Sequence, residues 1–197
     1  IPTYINAQGE AVLTNEDILE GQAVFQRSAL MDFGSMFGDG ANRGPDFTAQ
    51  ALHQLTIFLN EYYGNQPGLS KLEFLAVKEL VKSELKDNHY QKSTNTVKLT
   101  AAQEYAYSRL VTYYENYFAG SGQYSLKAGY VPTGNIKKLS AFFFWGAWVC
   151  STERPGKEYS YTHNWPYDPD AGNTPSPSVI IWTIVGSLGL MLGLGLV

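Results

Sequence analysis

Gly34-Ser35-Met36-Phe37-Gly38-Asp39-Gly40-Ala41-Asn42-Arg43-Gly44-Pro45-Asp46-Phe47-Thr48 packs four glycines, one proline and two aspartates into fifteen residues. Such glycine density means backbone turns and a close approach of the chain to something else. The stretch reads as a loop between two helices. Upstream, Thr14-Asn15-Glu16-Asp17 carries helix-starting chemistry with acid in the first turn, and Ile18, Val24, Phe25 and Ala29 line one face. Downstream, Asp46 stands ready to cap a second helix. Its apolar stripe is Phe47, Ala51, Leu55, Phe58 and Tyr62, ending at Gly64-Asn65-Gln66-Pro67-Gly68.

Two capping boxes open further helices. Ser70-Lys71-Leu72-Glu73 starts one with Phe74, Val77, Val81 and Leu85 on a face. Thr100-Ala101-Ala102-Gln103 starts another with Ala102, Ala106, Leu110, Tyr113 and Tyr117, stopping near Gly120. Residues 88–98 are polar and support at most a short β-ribbon around Thr94 to Leu99. Ile1 to Ala11 reads as an extended lead-in, and residues 120–135 as a Gly/Ser/Pro loop. The expectation is a small all-α domain over residues 1–135.

The net charge of −4, with no Lys/Arg stripe, excludes nucleic acid as a partner class. Lys78 to Lys86 alternates with Glu79 and Glu84 and reads as the solvated face of a helix. The single cysteine, Cys150, rules out an internal disulfide, a Cys-x-x-Cys-His haem motif and a Cys/His zinc spacing. His53, His89 and His163 lie far apart and read as surface or satisfied histidines. Aromatic residues are abundant, 14 Tyr, 10 Phe and 4 Trp, as suits boundaries between dry and wet surroundings.

Two later segments differ in kind. Ser140 to Cys150 holds eleven residues without a charge, too short to span a bilayer. It can be a buried core helix or a helix lying at the membrane interface, and the flanking Lys137, Lys138, Glu153 and Arg154 lead us to expect the interfacial helix. Ser178 to Val197 holds twenty uncharged residues, matching a hydrocarbon core of roughly 30 Å at about 1.5 Å per residue. Trp182 suits an interfacial anchor, and Gly186, Gly189, Gly193 and Gly195 suit close packing in a membrane bundle better than a soluble helix. The expected organisation is therefore a domain at 1–135, a membrane-surface helix and loop at 136–177, and a transmembrane helix at 178–197. The chain reads as part of a longer membrane protein. Glu158 to Pro177, with four prolines, reads as a surface loop, or as one that packs over a site elsewhere in the protein.

Phe142 to Trp182 contains Arg154-Pro155-Gly156, Tyr161-Thr162-His163-Asn164-Trp165-Pro166, Gly172-Asn173 and Trp182. This closely resembles the segment before the second transmembrane helix in quinol-dependent nitric oxide reductases of the single-chain type; His163 replaces the usual Asn. Asp17-Ile18, Gly21-Gln22, Val24-Phe25 and Gly44-Pro45-Asp46-Phe47-Thr48 resemble the extracytoplasmic domain of the same family. Asp39 in Gly38-Asp39-Gly40-Ala41 replaces a frequent His, and Asn42 a usual Tyr.

The resemblance implies a cytochrome c-like domain lacking haem. Sliding the pattern of haem-bearing relatives onto this chain puts Leu30 and Phe33 at the two haem-attaching cysteines and Gly34 at the ligating histidine. Leu30 and Phe33 then plug the vacated pocket. It also implies a calcium contact at Gly40 and Asn42; the alternative is a plain interdomain loop. For the full-length protein it implies reduction of two NO to N2O and water, with two electrons and two protons. It implies haem b, haem b3 and non-haem iron on later helices, quinol as donor, and an extracytoplasmic domain on a bacterial or archaeal cell membrane. The implied partners are the remaining transmembrane core, membrane lipid and quinol. No catalytic or cofactor-binding residue is expected in this chain, whose role would be to cap the haem-bearing core. Two rival readings are an electron-accepting cytochrome module and a membrane-anchored binding domain without catalysis.

Overall fold

The computed structural model describes residues 1–40, 43–64, 71–120 and 126–195. Helix α1, Asn15–Arg27, begins at Thr14 with a reciprocal capping box. The Asp17 amide donates to Thr14 Oγ1 (3.1 Å), and the Thr14 amide donates to Asp17 Oδ2 (2.8 Å). The helix stops before Ala29, which adopts a left-handed φ of 47° instead of extending the apolar face. Helix α2, Phe47–Gly64, is capped by Asp46, whose Oδ1 accepts from the Ala49 amide at 2.9 Å. Phe47, Ala51, Leu55 and Phe58 are buried as the stripe predicts, while Tyr62 is exposed.

Helix α3, Lys71–Lys86, buries Val81 and Leu85 but leaves Phe74 exposed. The Ser70 cap expected for it lies outside the described residues. Helix α4, Ala101–Gly120, opens with the expected capping box: Gln103 N donates to Thr100 Oγ1, and Thr100 N to Gln103 Oε1, both at 3.1 Å. It buries Tyr107, Tyr114 and Phe118 beyond the predicted stripe.

The β-structure exceeds the short ribbon expected. Strands β1 (Thr3–Ile5), β2 (Ala11–Leu13), β3 (Tyr90–Gln91) and β4 (Thr96–Lys98) form one sheet in the order β2-β1-β4-β3. The N-terminal lead-in pairs antiparallel with itself through β2 and parallel with β4. Tyr4 anchors the sheet: it is fully buried, edge-on to Phe144 at 5.5 Å and to Trp148 at 5.8 Å.

Helix α5, Thr133–Ser151, corrects the largest expectation. Ser140 to Cys150 is not an interfacial helix; it is the central core helix, packed against α1, α2 and α4. Ala141, Phe143, Ala147 and Cys150 are completely buried. A helix that is apolar all round is buried on every side, and this one finds protein to do it. Each large side chain so buried contributes about 1.5–3 kcal/mol. The α1/α5 crossing depends on Gly21, where a Cβ would run into the Lys138 carbonyl and lie 2.8 Å from Phe142 Cβ. Packing thus joins residues 136–151 to the helices before them.

Helix α6, Pro177–Gly195, differs from all the others: none of its residues is buried, and its mean hydropathy is 1.9. It is the one described helix long and apolar enough to cross a membrane.

Candidate functional site: the glycine-rich loop and the segment between α5 and α6

The glycine-rich loop is stitched down by Asp46 and Thr48. Asp46 Oδ2 accepts from Ser35 Oγ (2.7 Å) and from the Gly38 amide (2.8 Å). Ser35 N donates to the Pro45 carbonyl at 3.1 Å, and Phe47 N to the Ser35 carbonyl at 2.8 Å. Buried Thr48 accepts from the Phe37 amide at 3.0 Å and donates to Met36 Sδ at 3.6 Å. These bonds hold Phe37 at a left-handed φ of 53°, uncommon for a bulky residue, with its ring edge-on to Trp145 at 5.8 Å.

At the three positions matched to haem attachment, the structure places no ligating group. Leu30 is fully buried in the core, and Phe33 packs on Tyr130 at 5.2 Å between ring centres. Gly34 lies so close to the Phe47 ring that a Cβ there would collide with it. The Phe47 ring stacks on Phe143 at 4.7 Å and 4° and meets Phe25 edge-on at 6.0 Å. Tyr114 adds a further ring 4.8 Å from Phe143. The space beside Gly34 is filled with aromatic side chains, and the residues at the three matched positions do not fit a c-type haem.

Of the two residues matched to a calcium contact, Gly40 has a left-handed φ of 83° and nothing crowding its Cα, and Asn42 lies outside the described residues. No group of three or more His, Cys, Asp or Glu among the described residues could hold a metal ion. Beside the loop, Phe25, Met36, Phe37, Phe142 and Trp145 line an open groove of about 310 Å³.

The second part of the site is the segment from Thr152 to Ser176, which joins α5 to α6. Lys86, at the end of α3, reaches into it. Its ammonium donates to Asn164 Oδ1 (2.9 Å) and Asn173 Oδ1 (2.6 Å). Asn173, completely buried, donates from Nδ2 to the Cys150 and Pro166 carbonyls, both at 3.0 Å. Asn164 donates to the Thr174 carbonyl at 3.0 Å. Burial pulls the Lys86 pKa down to about 8, against a partly offsetting pull from the Glu153 carboxylate.

His163 and Asn164 both take left-handed φ, 56° and 63°, and His163 stacks on Tyr159 at 4.4 Å. His163 is thereby a stacked ring in a turn. His53 Nδ1 lies 3.2 Å from Asp168 Oδ2, and Lys78 lies 3.1 Å from Asp170 Oδ1, so α2 and α3 both grip the loop. Trp165 lies on Gly38, joining this loop to the glycine-rich one. Cys150 is inert in this setting, its thiol pushed up to about 12 by burial.

Sequence reasoning missed Lys86. The run Lys78 to Lys86 reads as a solvated face, yet Lys86 is half-buried and doubly hydrogen-bonded from 78 and 87 residues away. The only sequence signal was indirect: Asn164 and Asn173 sit in a proline-broken loop, where buried amides need partners. The structure thus brings together the two blocks that carried the resemblance, the glycine-rich loop and the Asn-Trp-Pro loop, through Trp165 and Gly38.

No curated protein matches the chain. Residues 2–167 match the family described as the NorB cytochrome c-like domain of nitric oxide reductase, and the chain belongs to that family.

Proposed function

We propose that this chain is the extracytoplasmic part of a quinol-dependent nitric oxide reductase and that its task is structural: it caps the haem-bearing core. The closed haem position carries this reading. Leu30, Phe33 and Gly34 offer neither thioether bond nor axial ligand, and Phe47 and Phe143 fill the space beside them. A domain without its own redox centre does not relay electrons from a soluble cytochrome. Electrons then reach the core from a donor dissolved in the bilayer, where α6 is suited to reside.

In the full-length protein, haem b, haem b3 and non-haem iron would supply the redox chemistry of NO reduction. This chain's own residues hold geometry. Lys86, Asn164 and Asn173 fix the path from α5 to α6, and Asp46 and Thr48 fix the loop on which Trp165 rests. The test is NO consumption by the full-length enzyme. The expected outcome is turnover with a reduced quinol analogue and none with reduced cytochrome c; stimulation by cytochrome c alone overturns the quinol assignment.

The same reading includes a calcium contact through the Gly40 carbonyl and the Asn42 amide oxygen, both suitable hard-cation ligands, with other ligands supplied by the rest of the protein. Asn42→Ala is expected to lower bound calcium and thermal stability of the full enzyme. Unchanged calcium content would leave a plain interdomain loop.

A further inference from the structure

Two segments far apart in the chain meet at one small contact. Gly38 presents its bare Cα to the indole of Trp165: a Cβ there would lie 3.0 Å from Cζ2, 3.4 Å from Cη2 and 3.5 Å from Cε2. Gly38 also has a left-handed φ of 79°, so glycine serves both the turn and the ring. Trp165 is 36% exposed, so core packing does not hold its ring from every side.

Both sides of the contact are tied down. On the loop side the Gly38 amide donates to Asp46 Oδ2 at 2.8 Å, while Asp46 Oδ1 caps α2 through the Ala49 amide at 2.9 Å. The Phe37 amide donates to Thr48 Oγ1 at 3.0 Å, so the seat of the ring is built on the first turn of α2. On the other side the Trp165 amide donates to the Thr162 carbonyl at 3.2 Å, and Thr162 Oγ1 donates to the Trp165 carbonyl at 2.6 Å. The next carbonyl, that of Pro166, accepts from Asn173 Nδ2 at 3.0 Å, and Asn173 Oδ1 accepts from the Lys86 ammonium at 2.6 Å. Asn173 stands four residues before Pro177, where α6 begins. A line of contacts thus runs from the cap of α2 through Gly38 and Trp165 to Asn173 and α3, close to the start of α6. Its middle link is van der Waals contact, where a gap of about 0.5–1 Å forfeits a quarter to a half of the attraction.

We propose that the glycine-rich loop is a conformational clamp on the approach to α6. With Asp46 bonded to the Gly38 amide, the loop offers a flat seat on which the Trp165 ring rests, and residues 165–173 keep their turn. When Asp46 releases Gly38, the seat is lost and that turn opens, although none of its own hydrogen bonds has been altered. The coupling is reciprocal: loss of the ring frees the loop. A displacement imposed on the loop is thereby passed to the segment that leads into α6. The clamp goes beyond the structural role proposed above and does not depend on the electron donor.

The test is amide hydrogen exchange, read by mass spectrometry on the full-length protein in lipid nanodiscs. Asp46→Asn keeps a good helix cap but leaves one oxygen where two accepted, so the Gly38 amide and the Ser35 hydroxyl lose their shared partner. The amides of Trp165, Asp168 and Asn173 are bonded within their own segment and untouched by that change. The expected result is exchange about threefold to tenfold faster over 165–173 in Asp46→Asn. Trp165→Leu is expected to speed exchange over 35–39 by a similar factor. In the double variant, Asp46→Asn is expected to add little further over 165–173, because the ring that carries the coupling is gone. The paired strands β1 and β4 are the reference for global opening and stay at the wild-type rate. Unchanged exchange over 165–173 in Asp46→Asn overturns the clamp. Acceleration by the same factor with and without the ring also overturns it, because the coupling then runs by another route. If Asp46→Asn frees the sheet as well, Trp165→Leu decides: a faster loop supports the clamp and an unchanged loop overturns it.

Discussion

Lys86 sits half-buried among amide oxygens, and its two short hydrogen bonds to Asn164 and Asn173 hold a segment with almost no regular structure of its own. Lys86→Met keeps the stem and removes the donor, leaving two amide oxygens without it. The expected cost is about 1–3 kcal/mol, read as a lowered melting temperature and faster proteolysis between Arg154 and Tyr167. Burial also sets a pH dependence. The folded-state pKa is depressed to about 8 from an ordinary 10.5, so above pH 8 the unfolded chain keeps a proton that the folded chain has lost. Stability from this group is flat below pH 8, where both states are protonated, and rises between pH 8 and 10. Lys86→Met is expected to remove that rise in a denaturant series across the window. Gly34 is the opposite kind of residue, important for what it lacks. Installing a Cys-x-x-Cys-His motif with Leu30→Cys, Phe33→Cys and Gly34→His supplies the right spacing but also puts a histidine where the Phe47 ring lies. Expressed with haem-attachment machinery, this triple variant is expected to carry no covalent haem by haem staining. Covalent haem in a folded variant would show that the aromatic filling yields.

Among the elements, the helices declared themselves through their ends and the sheet did not. Thr14 with Asp17 and Thr100 with Gln103 are local pairings, visible three residues apart, and both cap helices as read. Strands β1 and β4 pair across more than ninety residues, and each is three residues long, too short for alternation to register. Helix α5 was legible as apolar, but its surroundings were not: composition gives a segment's hydrophobicity and leaves open whether lipid or protein covers it. The structure answers with Gly21, whose missing side chain lets α1 and α5 cross at backbone contact. Gly21→Leu is expected to destabilise by about 1–3 kcal/mol through overpacking. Phe143→Ala, at the centre of the same core, should cost about 3–5 kcal/mol through its cavity. Both are read by chemical denaturation; a neutral Gly21→Leu would mean that the crossing relaxes at little cost.

Across the molecule, the cytochrome c-like domain and a helix long and apolar enough to cross a membrane are joined by a loop that Lys86, His53 and Lys78 pin to two helices. Under the function proposed above, Lys86→Met in the full-length protein is expected to leave the choice of electron donor unchanged. NO consumption with quinol and cytochrome c as separate donors checks it. What the sequence by itself determined was what is local or chemical. The single cysteine excluded a Cys-x-x-Cys-His motif, the uncharged run after Ser178 supplied a helix long and apolar enough to cross a membrane, and the caps set helix starts. The motifs around Gly44-Pro45-Asp46 and Asn164-Trp165-Pro166 pointed to the family. Only the tertiary structure decided that Ser140 to Cys150 is core, that Phe47 and Phe143 stack beside Gly34, and that a lysine read as solvent-facing secures the segment between α5 and α6. The reason is physical: burial and hydrogen bonding over long separations depend on which surfaces meet, and one strand of sequence carries the hydrophobicity of each surface but not its partner.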